Sequence, residues 1–108
     1  MSSLINRCTI KMSNCPSIIS FASIVGKKEG EGPMASCFDE INNDPYFGQD
    51  TFEKGESELQ KQTINLALQK GNLKPEDINF MFAGDLLNQC IGTTFGIREL
   101  GIPFFGIY

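Results

Sequence analysis

The stretch from Asp50 or Thr51 to Lys70 constrains this chain more than any other, because it carries a complete set of helix signals. Asp50 or Thr51 supplies an N-cap oxygen, and Glu53, Glu56 and Glu58 put negative charge where the helix dipole favours it. Leu59, Thr63, Leu66 and Ala67 recur at three- and four-residue spacing, with Ile64 and Leu68 widening the stripe. Lys70 fills the last turn, and Gly71 is expected to supply a left-handed cap. A helix with one apolar stripe has to lie on something apolar.

Apolar runs flank it on both sides. Ser17 to Val25 (SIISFASIV), closed by Gly26, suits a strand covered on both faces. Ile78 to Ala83 (INFMFA) is a second such strand, ended by Gly84, and Lys74-Pro75-Glu76-Asp77 makes the turn before it. A polar loop from Asp85 to Cys90 leads to a helix from Ile91 or Thr93 to Leu100, capped by Gly101 and barred from continuing by Pro103. Phe104 to Tyr108 (FFGIY) reads as a third strand. The order β-α-β-α-β predicts an α/β chain with a mainly parallel sheet and flanking helices. Residues 1–16 read as a polar arm with a strand around Cys8–Met12. Lys27 to Gln49 reads as a long, glycine- and proline-punctuated connection with at most a helical turn near Ala35–Ile41. Connections this long are often functional.

Composition then excludes whole classes. The 108 residues suffice for one modest domain. Nine Lys+Arg against 13 Asp+Glu give a net charge of -4, which argues against a basic face for nucleic acid. No apolar run approaches the ~20 residues of a membrane span. Arg7, Lys11 and Asn14 interrupt the apolar core that a signal peptide needs. The four cysteines, Cys8, Cys15, Cys37 and Cys90, have no C-x-x-C spacing, so no zinc or iron–sulfur site is assigned. Histidine is absent, so no Cys–His nucleophilic pair forms within these residues. Reduced thiols are expected, with Cys90 a small buried residue. No catalytic residue, metal or cofactor is assigned.

The last strand ends the chain at Tyr108, where an open edge would remain. The expectation is therefore an N-terminal piece of a longer protein, cut just before a loop at a strand's carboxyl end, where open α/β sheets bind ligands; the alternative is a small complete domain whose last strand pairs elsewhere.

Several segments together resemble a known family. They are Val25-Gly26, Glu31-Gly32-Pro33, Phe38-Asp39, Gln49-Asp50-Thr51-Phe52-Glu53-Lys54 with Glu56, and Leu73-Lys74-Pro75-Glu76-Asp77-Ile78. Ala83-Gly84-Asp85-Leu86-Leu87-Asn88-Gln89 and Gly101-Ile102-Pro103-Phe104 complete the set. From about residue 6 to 108 the chain resembles the N-terminal stretch of the stage V sporulation protein AD family, within the thiolase-like superfamily. Its GDLLNQ run at 84–89 is the most specific part.

The resemblance implies residues 1–108 as the first part of a thiolase-like domain, ending before a Gly-Ala-Cys-Ser-Thr elbow. That elbow's cysteine matches no residue here, and Cys90 does not take its place. The resemblance also implies a non-enzymatic protein that binds dipicolinic acid, as its calcium salt or free. Such a protein supports uptake of the acid into the developing spore and its release on germination. The partners implied are membrane-embedded proteins of the same operon and a second copy in a homodimer. The implied location is peripheral to the inner spore membrane. An acyl-transferring thiolase or ketoacyl synthase and a non-binding scaffold are the alternatives, and fold alone does not choose among them.

Dipicolinate is a flat aromatic dianion that needs donors or cations and an apolar wall. Residues 84–98 offer Asn88, Gln89, Thr93, Thr94, Arg98 and the N–H groups opening the second helix. Asn88 and Gln89 are the best ligand-binding candidates, as short polar residues on a strand-end loop; the alternative is that their amides bond loop backbone or cap the next helix. Asp85 repels a dianion and is expected to cap or fix the loop. Arg98, beside Glu99, suits an exposed or interface position. The acidic stretch 29–58 lacks the ligand order of a calcium loop and is expected to be a solvated face.

Overall fold

A computed structural model describes residues 2–87 and 89–107. Its central element is the helix α2 (Phe52–Lys70), begun where predicted: Thr51 is the N-cap and its Oγ1 accepts the Lys54 N–H at 3.2 Å. The cap at the other end differs. Gly71 stays right-handed at φ -83°, and the left-handed residue is Asn72, at φ 54°. Gly71 serves close approach instead, since a Cβ there would stand 3.0 Å from Ser20 Cβ. Ser20 is fastened at the same place, its hydroxyl donating to Ala67 O at 2.7 Å.

The carboxyl-terminal part follows the predicted order. β5 (Met81–Ala83) leads through α3 (Ile91–Ile97) and a 3-10 turn (Arg98–Leu100) to β6 (Phe104–Gly106). β5 and β6 pair in parallel, Met81 opposite Phe104, Phe82 opposite Phe105 and Ala83 opposite Gly106. Gly101 closes the 3-10 turn in the left-handed region, at φ 67°. Helix α3 lies close against α2 because both are small at the crossing. A Cβ on Gly96 would stand 2.5 Å from Ser57 O. The Ser57 hydroxyl donates to Gly92 O at 2.8 Å.

The amino-terminal part corrects the expectation of a single β-α-β-α-β sheet. The expected strand over Ser17–Val25 is β3 (Ile24–Gly26), and it pairs in parallel with β4 (Glu40–Asn42) inside what reads as a long connection. Between them lie α1 (Lys27–Gly30) and a 3-10 turn (Ala35–Cys37), the latter in the region where a helical turn is expected. Side-chain and backbone bonds together hold the start of this pairing. Asp39 Oδ2 accepts the Ser23 N–H at 2.8 Å, and Ser23 O accepts from the N–H groups of Asp39 and Glu40, which sets the register. The arm is an antiparallel hairpin of β1 (Ser2–Asn6) and β2 (Thr9–Met12), the second strand lying where one is expected. The result is a mixed α/β chain with, among the described residues, three two-stranded sheets, two of them parallel. The buried apolar residues are Ile24, Phe47, Cys90, Ile97 and Ile102.

Candidate functional site

The loop after β5 is held by one carboxylate. Asp85 Oδ1 accepts the Cys90 N–H at 3.1 Å, while its Oδ2 accepts the Thr93 N–H and the Thr93 hydroxyl, both at 2.9 Å. Cys90 occupies the N-cap position of α3 without capping it through its side chain, so Asp85 does this from upstream. Thr93 is fully buried beneath it. The loop-fixing role expected of Asp85 is what the structure shows.

This arrangement uses up donors that the sequence offers. The Thr93 hydroxyl is spent on Asp85, and the Thr94 hydroxyl donates to Cys90 O at 2.7 Å. Gln89 is exposed, on a backbone turned left-handed at φ 46°, and Cys90 continues that turn at φ 71°. Asn88 lies outside the described residues. Arg98 is exposed and stacks over the Phe95 ring at 5.2 Å, as an exposed or interface arginine would. Cys90 is buried, its thiol 3.9 Å from Ile107 O.

Helix α2 contributes a residue that the sequence reading leaves as mere dipole complement. Glu56 Oε1 accepts the Leu86 N–H at 3.4 Å, and its buried Oε2 has no hydrogen-bond partner among the described residues. Gly92 shows how close the carboxylates come, because a Cβ there would lie 3.5 Å from both Asp85 Oδ2 and Glu56 Oε2. The sequence signal was thin: Glu56 is one of several acids at the start of α2. Among the described residues no group of three His, Cys, Asp or Glu could hold a metal ion.

Below the loop, α2 and β5 border an open apolar groove of about 870 Å³, lined by Ile24, Leu59, Ile64, Met81, Ile102 and Ile107 among others. It reaches Gly84, the root of the loop, whose carbonyl accepts from Gln60 Nε2 at 3.4 Å. The predicted stripe of α2 forms one wall. No helix among the described residues is long and apolar enough to cross a membrane.

Comparison with known proteins identifies the family. The family model described as Stage V sporulation protein AD (SpoVAD) matches residues 6–108. Stage V sporulation protein AD of Bacillus subtilis (strain 168) is 38% identical over 89 residues, which is 82% of this chain and 26% of that protein. The chain thus spans about a quarter of the length of the curated relative it matches. It belongs to the stage V sporulation protein AD family, a family of sporulation proteins.

Proposed function

We propose, with membership in that sporulation family as the premise, that this chain forms part of a non-enzymatic protein that binds dipicolinic acid. That protein supports uptake of the acid into the developing spore and its release on germination. It works with membrane-embedded subunits, as a homodimer peripheral to the inner spore membrane. In this reading residues 1–108 are the first part of a thiolase-like domain, and Asn88 and Gln89 donate to the carboxylates of the ligand.

One observation carries the reading. The loop bearing Gln89 is locked by Asp85 at the carboxyl end of a parallel strand pair and starts at the edge of an apolar groove. An exposed amide on a fixed loop is a pre-organised donor, and an apolar wall suits the flat face of an aromatic acid. The buried Cys90, turned toward a backbone carbonyl, has the surroundings of a packed thiol and not of an activated nucleophile.

Calorimetric titration with dipicolinate, with and without calcium, and separately with an acyl-coenzyme A, tests this. Heat is expected with dipicolinate, reduced by Gln89→Ala. Heat with the thioester and none with dipicolinate would replace the reading by an acyl-transfer one.

A further inference from the structure

Charge is divided unevenly along this chain. Residues 1–28 carry four Lys or Arg and no Asp or Glu, whereas residues 29–108 carry five against 13. Two of these four cations, Arg7 and Lys11, lie in the bare arm, where every residue from Ser3 to Ile19 is exposed; the other two, Lys27 and Lys28, open α1, with Lys27 paired to Glu31 at 3.9 Å. Register puts Leu4 directly opposite Ile10 on one face of the β1–β2 hairpin, and Met12 lies two residues along from Ile10 on that same face. Leu4 is 68%, Ile10 66% and Met12 50% exposed. Arg7 stands in the connecting turn and Lys11 beside Ile10, and neither makes an ion pair among the described residues.

We propose that the β1–β2 hairpin is a contact surface for an anionic lipid bilayer, its Leu4–Ile10–Met12 face entering the interface while Arg7 in the turn, and Lys11 reaching round from the opposite face on its long flexible stem, meet the headgroups. This extends the membrane-peripheral part of the function proposed above by naming the surface that touches lipid. Attachment to a bilayer strengthens with buried apolar area and with attraction of basic side chains to anionic lipid, and the hairpin offers an apolar face and two cations. Charge complementarity sets the orientation. The strongly acidic remainder is repelled by an anionic surface, so it points away while the acid-free arm points in. A second copy is the competing occupant. Against it, the hairpin is short for strand addition, and Lys11 on β2 is the kind of edge residue that discourages pairing.

The test uses a Cys15→Ser/Cys37→Ser variant labelled at the exposed Cys8 with an environment-sensitive fluorophore, without dipicolinate. A failure of ligand binding and a failure of lipid contact are thereby read separately. Vesicles of phosphatidylcholine and phosphatidylglycerol at 3:1 are expected to shift the emission to the blue, and phosphatidylcholine alone is not. Arg7→Glu/Lys11→Glu should weaken partitioning about tenfold or more, and Leu4→Ser/Ile10→Ser should abolish the shift. Both pairs lie on exposed positions, and unchanged circular dichroism of the helices verifies that the rest is folded. A label at Cys37, with Cys8 and Cys15 replaced by serine, should stay unshifted. No shift with the anionic vesicles, an equal shift at Cys37, or a shift that needs only higher protein concentration and tracks self-association would each overturn the proposal.

Discussion

Lys70 and Asp39 close the end of α2 onto the β3–β4 crossover, Nζ to Oδ1 at 2.7 Å, with the same ammonium 4.9 Å from the centre of the Phe21 ring. Asp39 therefore joins three elements at once, because its other oxygen accepts from Ser23. The Lys70 hydrogen bond, followed by the Ser23 N–H, holds its carboxyl below the usual carboxylate value. A depressed acid stabilises the folded state above the unfolded pKa and loses that contribution as pH falls through the folded one. Stability should thus decline below about pH 4, and Asp39→Asn should remove part of that decline while lowering stability at neutral pH. Thermal unfolding from pH 3 to pH 7 checks both; parallel pH profiles for the two proteins would contradict the assignment.

Gly96 is where α3 meets α2, and the crossing tolerates no side chain. A Cβ would stand 2.5 Å from Ser57 O and 3.2 Å from Ser57 C, which is backbone that cannot swing aside. Gly96→Ala should destabilise the chain by about 1–3 kcal/mol. Gly26→Ala, where nothing lies within 4 Å of the new carbon, is the matched control. Urea midpoints for the two variants separate packing from loss of glycine flexibility.

What could be read in advance follows from how local each signal is. Helix α2 is written in its own residues: the Thr51 cap, the apolar stripe and Lys70 all act within a few turns. The β5-α3-β6 unit is legible for the same reason, since Gly84, Gly101 and Pro103 mark its boundaries. The β3–β4 pairing was not legible. It depends on the Asp39 carboxylate reaching Ser23, 16 residues back, and short strands such as Glu40–Asn42 have no periodicity to detect. Gly71 misled for a related reason, because its glycine answers to Ser20 across space and not to its own backbone angle. At the site, Asp85 was legible as a loop-fixing residue from its charge and place. Glu56 was not, since only the folded chain brings its carboxylate to Gly92.

Among the described residues, Glu56 is where the packing leaves a buried side-chain oxygen without a partner. Its Oε2 is buried, and both it and Asp85 Oδ2 border the space beside Gly92, each 3.5 Å from where a Cβ would stand. An amide keeps the shape and takes a charge out of a buried, unpartnered position. Glu56→Gln should therefore be neutral or stabilising, by up to about 1 kcal/mol, whereas Glu56→Ala should be destabilising through the lost acceptor for Leu86 N–H. Thermal midpoints at pH 7 decide this, and a clear loss of stability in Glu56→Gln would mean that the second oxygen has a partner in solution.

Asp85 and Cys90 give the last prediction, which reads the loop directly. Cys8, Cys15 and Cys37 are exposed, while Cys90 is buried and held through its N–H to Asp85. A disulfide-exchange reagent should therefore titrate three thiols quickly and the fourth slowly. Asp85→Ala removes the acceptor for Cys90 N–H, Thr93 N–H and the Thr93 hydroxyl together, leaving buried Thr93 donors unpaired. Loss of such a cap costs about 1–2 kcal/mol, and the fourth thiol should become fast as the loop opens. Thr93→Val is the complementary variant: it deletes the hydroxyl donor but leaves both backbone donors on Asp85. It should keep the fourth thiol slow while lowering stability by a smaller amount. If Cys90 reacts as slowly in Asp85→Ala as in the parent, the loop is held by packing against Ile107 and not by the carboxylate.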